Sequence, residues 1–198
     1  MKLVAQGYDQ LVDAYLADRG TVEGSGWLER LIAALPPGGR VLDLGCGAGV
    51  PVARTLVEHG FSVSGVDISP GQVERARGLV PGADFQVGDM TALEFAPESF
   101  DGVCAFYSLI HVPREFHAVI LGKVARWLRP EGKAMLVLGA EDWEGREAYL
   151  DGVEMFWSHY GLEENRRLLA LAGLAELDSE IVPDPPGAHW FVLAERAR

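Results

Sequence analysis

The stretch Val41-Leu42-Asp43-Leu44-Gly45-Cys46-Gly47-Ala48-Gly49 passes from a short apolar run into alternating glycines. A buried parallel strand that ends in a nucleotide-binding turn has this form. Lacking a Cβ, Gly45, Gly47 and Gly49 can take positive φ and let the backbone approach a ligand to hydrogen-bonding distance. Residues 50–59 read as a helix whose first N–H groups and positive dipole end face the loop. The stretch is thus a site for a cofactor bearing a carboxylate or a phosphate, with a ligand-free strand-to-helix turn as the plainer alternative.

A dinucleotide fingerprint would need a third glycine where Val50 stands. The acidic-x-Gly-x-Gly-x-Gly pattern at Asp43, Gly45, Gly47 and Gly49 instead resembles the first motif of the class I S-adenosylmethionine (SAM)-dependent methyltransferases, specifically the small bacterial type-11 and type-25 domains. The next segments follow the order of that family. Residues 61–66 alternate as a second strand ending at Asp67, with Ile68 beside it. One carboxylate at a strand tip about twenty residues past the glycines can accept from both ribose hydroxyls. A turn or N-cap aspartate is the alternative, but Ser69 before Pro70 already supplies the cap.

Residues 83–87 form a third strand, followed by Gly88, Asp89 and Met90. The resemblance implies that Asp89 accepts from the adenine amino group while Met90 lies on the ring; a turn aspartate is the bland reading. A fourth strand, residues 100–108, leads through Tyr107 to His111, and a helix from Pro113 runs to position 128. Residues 128–133 then read as a turn into a fifth strand, 134–138, resembling the family's next block. In such a site the loop at Gly45, Cys46 and Gly47 admits the methionine carboxylate, backbone carbonyls near Phe106 meet its ammonium, and Asp43 orients the loop.

Composition narrows the partners. The chain has 198 residues, 48% of them hydrophobic, which suits one domain with a full core. Its net charge of −12 argues against nucleic acid as a partner. Cys46 and Cys104 are the only cysteines and read as buried thiols rather than a disulfide. With neither a basic-then-apolar leader nor a long apolar run, the expectation is a cytoplasmic protein, monomer or homodimer, without membrane partners.

The ends of the chain carry weaker signals. Tyr8, Leu11, Val12 and Tyr15 mark one face of a helix over residues 8–17. It either packs on the sheet or, as the resemblance implies, folds over the cofactor with Tyr8 and Tyr15 in the lid. A second helix covers residues 27–35. Residues 139–160 break the strand–helix rhythm and contain Met155-Phe156-Trp157-Ser158-His159-Tyr160. Leaving from the carboxyl edge, where ligands bind, this segment reads as part of an acceptor pocket lined by Tyr107, Trp157, His159 and Tyr160, or else as a surface helix. A helix over 162–172 and strands over 174–182 and 190–195 complete the chain, with residues 184–187 as hairpin loop only.

The expected fold is α/β: a Rossmann-like, seven-stranded, mostly parallel sheet flanked by helices, with a C-terminal antiparallel hairpin. Residues 1–198 form one domain, divided into N-terminal helices or lid (1–39), cofactor core (40–140), acceptor-pocket insertion (141–160), and last helix with hairpin (161–198). The resemblance implies methyl transfer from SAM to a small-molecule acceptor, giving S-adenosylhomocysteine. His111 is the candidate base, since imidazole titrates near neutral pH; packing on the cofactor is its other reading, and His159 and Tyr160 are rivals. No metal is expected, because His111 and His117 have no carboxylate cluster beside them. A non-catalytic SAM-binding protein and a nicotinamide-dependent oxidoreductase are the other classes.

Overall fold

In the computed structural model, which describes residues 2–12, 14, 26–185 and 187–197, two helices precede the first strand. Helix α1 (Lys2–Gln10) starts earlier than the sequence pattern suggests. Its inward stripe is Val4, Gly7 and, just past the helix, Leu11, so the apolar period extends back through a glycine. Gly7 is there for closeness: a Cβ at this position would lie 2.6 Å from the Met155 sulfur. Tyr15 lies outside the described residues. Helix α2 (Trp27–Ala34) buries Trp27 and Leu31 and stops at Leu35, which Pro36 holds in the extended region.

Three strand–helix units and two further strands follow. They are β1 (Arg40–Leu44), α3 (Val52–Glu58), β2 (Ser62–Asp67), α4 (Pro70–Leu79), β3 (Asp84–Val87), β4 (Phe100–Ala105), α5 (His117–Trp127) and β5 (Leu128–Gly139). These strands run parallel in the order β3-β2-β1-β4-β5, so the order reverses between β1 and β4. That switch point opens a crevice at the carboxyl ends of the strands. β4 is shorter than expected because Tyr107 turns the chain with φ 54°. The expected turn at 128–133 lies inside β5: Leu128 pairs with Phe100, then the register jumps so that Lys133 meets Gly102. Asp101 secures this corner, accepting from the Arg40 N–H at 2.7 Å and from Arg129 at 2.6 Å.

The segment after β5 is a separate antiparallel pair, β6 (Trp143–Ala148) and β7 (Glu154–His159), not a helix. Its aromatic residues favour a pleated surface, and alternation sends Met155, Trp157 and His159 to one side. Helix α6 (Leu162–Leu171) leads to β8 (Leu174–Asp184) and β9 (Gly187–Arg196). β9 lies antiparallel between β5 and β8, completing seven strands with the expected terminal hairpin.

Alternation along the strands feeds two apolar layers. Leu42, Leu44, Val103 and Leu136 pack with α5 and α6, while Val41, Val63, Cys104 and Met135 pack with α2, α3 and α4. Helix α1 joins neither layer through a strand of its own; it is held by the β6–β7 pair and by α4. Overpacking a filled site costs about 1–3 kcal/mol, so Gly7→Val should raise proteolytic cleavage within α1 roughly tenfold or more while the sheet stays protected. Unchanged cleavage would show that α1 is not docked through this contact.

Candidate active site

The glycine loop occupies the switch point and is built by close approach. Gly45, Gly47 and Gly49 all take positive φ, at 76°, 51° and 75°. At Gly45 the need is absolute, since a Cβ would fall 2.1 Å from the Ser108 Cβ. Ser108 belongs to the turn after β4, and its hydroxyl donates to the Leu44 carbonyl at 2.6 Å. The two strand ends on either side of the crevice are thereby tied together.

Asp67 ties in the third strand end. Its Oδ2 accepts from the Gly47 N–H at 2.8 Å and its Oδ1 from the Ser69 N–H at 2.9 Å. Ser69 caps α4 by accepting from the Gln72 N–H at 3.1 Å, as its sequence context suggests. Burial pushes the Asp67 pKa up, and the N–H groups of Ser69, Gly47 and Ile68 pull it partly back. Asp43 lies deeper: burial raises it to about 7, opposed by the Cys104 thiol, which donates to its Oδ1 at 3.6 Å. Its other oxygen is buried without a hydrogen-bond partner. Burial and the neighbouring carboxylate push both thiols, Cys46 and Cys104, well up.

Two cavities meet here. The first is a narrow cleft of about 50 Å³ lined by Gly45, Gly47, Asp67, Ile68, Met90 and Phe106, among others. The second is about 680 Å³ and runs between the β6–β7 pair and the β8–β9 turn, lined by Trp157 and His159 among others. Tyr8, Tyr107 and His111 line both. His111 is buried, its Nδ1 2.8 Å from the Phe156 carbonyl and its Nε2 2.8 Å from the Tyr8 hydroxyl. A carbonyl only accepts, so in the neutral ring Nδ1 carries the proton and Nε2 the lone pair to which Tyr8 donates. Trp157 packs on the same imidazole with ring centres 4.2 Å apart.

Other expected site residues stand elsewhere. Cys46 is turned into the core beside Gly65. Asp89 is turned onto its own loop, its Oδ1 accepting from the Thr91 N–H and hydroxyl at 2.9 and 2.7 Å. Tyr160 lies outside the larger cavity, against His117 and beneath the Arg114 guanidinium. His159 lines that cavity, donates from Nδ1 to the Glu141 carbonyl at 2.7 Å, and is held toward the neutral form by burial. Two features were missed. The 184–187 turn is a hairpin loop, and its Asp184, Pro185 and Gly187 also wall the larger cavity. Asp9 accepts from the Ser69 hydroxyl at 2.6 Å and the Gly71 N–H at 3.0 Å, latching α1 to the start of α4. The unsatisfied N–H groups of any helix start were the available signal for it.

A seven-stranded sheet of this order, with a glycine loop and an acidic tip on the next strand, defines the class I methyltransferase fold. A methyltransferase-domain family model matches residues 41–132, and over that stretch the chain belongs to the family. It is 34% identical over 182 residues to the 27-O-demethylrifamycin SV methyltransferase of Amycolatopsis mediterranei, covering 85% of this chain and 66% of that one. It is 40% identical over 116 residues to the 2-methyl-6-phytyl-1,4-hydroquinone methyltransferase of Synechocystis, covering 57% of this chain and 35% of that one. The chain thus spans between about a third and two thirds of these curated relatives. Among solved structures, the Burkholderia thailandensis 1,6-didemethyltoxoflavin-N1-methyltransferase, with that compound and S-adenosylhomocysteine bound, superposes with a TM-score of 0.70 at 21% identity, covering 96% of this chain and 87% of that one. The [4+2]-cyclase SpnF superposes with a TM-score of 0.75 at 19% identity, covering 98% and 94%. At these identities the superpositions show the fold alone.

The raised Asp43 gives a signed prediction. Unfolded, it titrates near 3.8, and folded near 7. Below 3.8 both states hold the proton and the group contributes nothing to the pH dependence. As pH rises to 7 the unfolded chain loses its proton first, so stability falls, and above 7 the full cost of the buried charge is present. Asp43→Asn should therefore gain stability over wild type progressively across this window, reaching a few kcal/mol at about 1.4 per pKa unit. Urea unfolding at stepped pH measures it; a gain independent of pH would refute the buried charge.

Proposed function

We propose that this protein transfers the methyl group of SAM to a small-molecule acceptor, releasing S-adenosylhomocysteine. The observation that carries the reading is the shared wall of Tyr8, Tyr107 and His111 between a glycine-loop cleft and a larger aromatic cavity. One cavity suits the cofactor, the other the acceptor, and the junction is where reacting atoms would meet. SAM, when bound, supplies a sulfonium-activated methyl group, so the protein's part is binding, alignment and proton handling.

The residues present fit that cofactor. The loop N–H groups of Gly45 and Cys46 donate to the Val66 carbonyl and that of Gly47 to Asp67, so a carboxylate would take the Gly47 N–H as Asp67 releases it. Asp67 would exchange its bond to Gly47 for ribose hydroxyls. Ile68 and Met90 would flank the adenine, Asp89 would hold the turn that presents Met90, and carbonyls near Phe106 would meet the ammonium. Asp43 would orient the loop from within the core, where its second oxygen is buried without a hydrogen-bond partner. With α1 in place the cleft is too narrow for a nucleoside, which supports α1 as a lid carrying Tyr8 and latched by Asp9.

His111 is the base in this reading. Its Nδ1–H is fixed by the Phe156 carbonyl, which leaves Nε2 to take a proton from an acceptor that replaces the Tyr8 hydroxyl. The acidic chain disfavours nucleic acid as acceptor, and the two free, buried thiols suit the cytoplasm. None of the described helices is long and apolar enough to cross a membrane.

Calorimetric titration with SAM, S-adenosylhomocysteine and NADH tests the cofactor. Asp67→Ala should weaken SAM about ten- to a hundredfold, the loss expected for hydrogen bonds to a charged group; unchanged affinity would remove the ribose assignment, and binding of NADH alone would overturn the reading. His111→Ala should slow single-turnover methyl transfer while leaving SAM affinity in place. Equal losses in both would make His111 a cofactor contact.

A further inference from the structure

One face of the β6–β7 pair carries a charge that the pair does not neutralise. The register sets Trp143 opposite His159, Gly145 opposite Trp157 and Glu147 opposite Met155, so these positions share a face. Trp143, Glu147, Trp157 and His159 of that face line the larger cavity, and Tyr149 meets Trp157 edge-on at 5.5 Å. The opposite face closes its charges in ion pairs, Glu144 with Arg114 at 3.6 Å and Arg146 with Glu154 at 3.5 Å. Glu147 forms no such pair among the described residues.

The rest of the cavity has the same sign. Glu141, Asp142 and Asp184 line it, and among the described residues no lysine or arginine does. Asp142 faces Arg114 at 3.5 Å and Asp184 faces His189 at 3.2 Å, while Glu141 and Glu147 form no ion pair among the described residues, and of these two Glu147 stands on the strand face that carries Trp157. Carboxylates of one sign attract cations and aromatic faces add to that attraction, here around a Glu147 side chain that is itself exposed to solvent. A phosphate or carboxylate on an acceptor would meet like charge here.

We propose that the methyl acceptor is a protonated amine carried on a flat ring body, with Glu147 as its counter-ion and Trp157 and Tyr149 as its aromatic walls. The inference rests on reading the larger cavity as the acceptor site. The ammonium gives one proton to the His111 Nε2 lone pair, replacing the Tyr8 hydroxyl there. The nitrogen lone pair then forms the N–C bond as the methyl–sulfur bond breaks, its electron pair staying on sulfur. The products are S-adenosylhomocysteine and an N-methylammonium, and the imidazolium proton returns to solvent.

The test uses three compounds with one indole body: tryptamine, tryptophol and indole-3-acetate, which carry an ammonium, a hydroxyl and a carboxylate. On the protein loaded with S-adenosylhomocysteine, calorimetry should give tryptamine about tenfold or more tighter than tryptophol, and no binding of indole-3-acetate. Glu147→Gln should remove most of the tryptamine preference and Glu147→Asp should keep most of it, with S-adenosylhomocysteine affinity reporting that each variant is folded. With SAM, mass spectrometry should find N-methyltryptamine. Tryptamine binding no tighter than tryptophol, or a preference that survives in Glu147→Gln, overturns the amine site while the cofactor reading stands. Failure of S-adenosylhomocysteine itself to bind overturns the methyltransferase reading instead.

Discussion

The Gly47 N–H donates to Asp67 Oδ2 across 2.8 Å, and this bond joins the turn after β1 to the tip of β2 where the strand order reverses. A second tie, from the Ser108 hydroxyl to the Leu44 carbonyl, brings in the end of β4. Both depend on glycine: at position 45 any side chain would collide with Ser108, and the chain could not turn from strand to loop in the space available. The parallel core therefore ends in a crevice whose walls are hydrogen-bonded to one another. The same arrangement buries two carboxylates, and burial raises both pKa values and costs stability. Asp67 offsets part of that cost by accepting from two backbone N–H groups, whereas one oxygen of Asp43 is buried without a hydrogen-bond partner.

Most of this was legible because it rests on local rules. Alternate glycines after an apolar run, a carboxylate at the next strand tip and a Ser-Pro helix start each follow from backbone sterics or capping, and Gly45, Asp67 and Ser69 stand where those rules put them. What was not legible depends on approach between distant segments. Nothing local to Gly7 signals the Met155 side chain that packs against it. The 141–160 segment has no periodicity strong enough to separate strand from helix before its partner strand is known. Asp89 carries the right residue type at the right place, yet a neighbouring threonine claims its Oδ1. Tyr160 follows His159 in sequence but points to the other side of the pair, as a period of two requires.

The roof and the far wall of the site come from the two parts of the chain that stand outside the strand–helix repeat. Helix α1 and β7 touch at Gly7 and Met155, and both hold His111, one through the Tyr8 hydroxyl and the other through the Phe156 carbonyl. The imidazole is thus oriented by elements that the sheet does not position. Movement of α1 would open the cleft and release the His111 Nε2 together, because one hydrogen bond joins the helix to the imidazole.

That division explains how one sheet serves different chemistry. Structures as unlike in activity as an N1-methyltransferase and a [4+2]-cyclase share this architecture with TM-scores of 0.70 and 0.75, so the sheet cannot be what selects the reaction. In this chain the larger cavity is lined from α1, the segment after β4, the β6–β7 pair and the β8–β9 turn. The turn after β4 holds Tyr107 at φ 54°, a conformation disfavoured for a bulky side chain, and so turns its ring toward His189 and Phe191. Strain at that residue is borne by strands buried on both faces, where the surrounding packing over-determines the turn. A rigid core thereby fixes the cofactor end of the junction, while surface strands of mixed aromatic and acidic character set what can approach it from the other side.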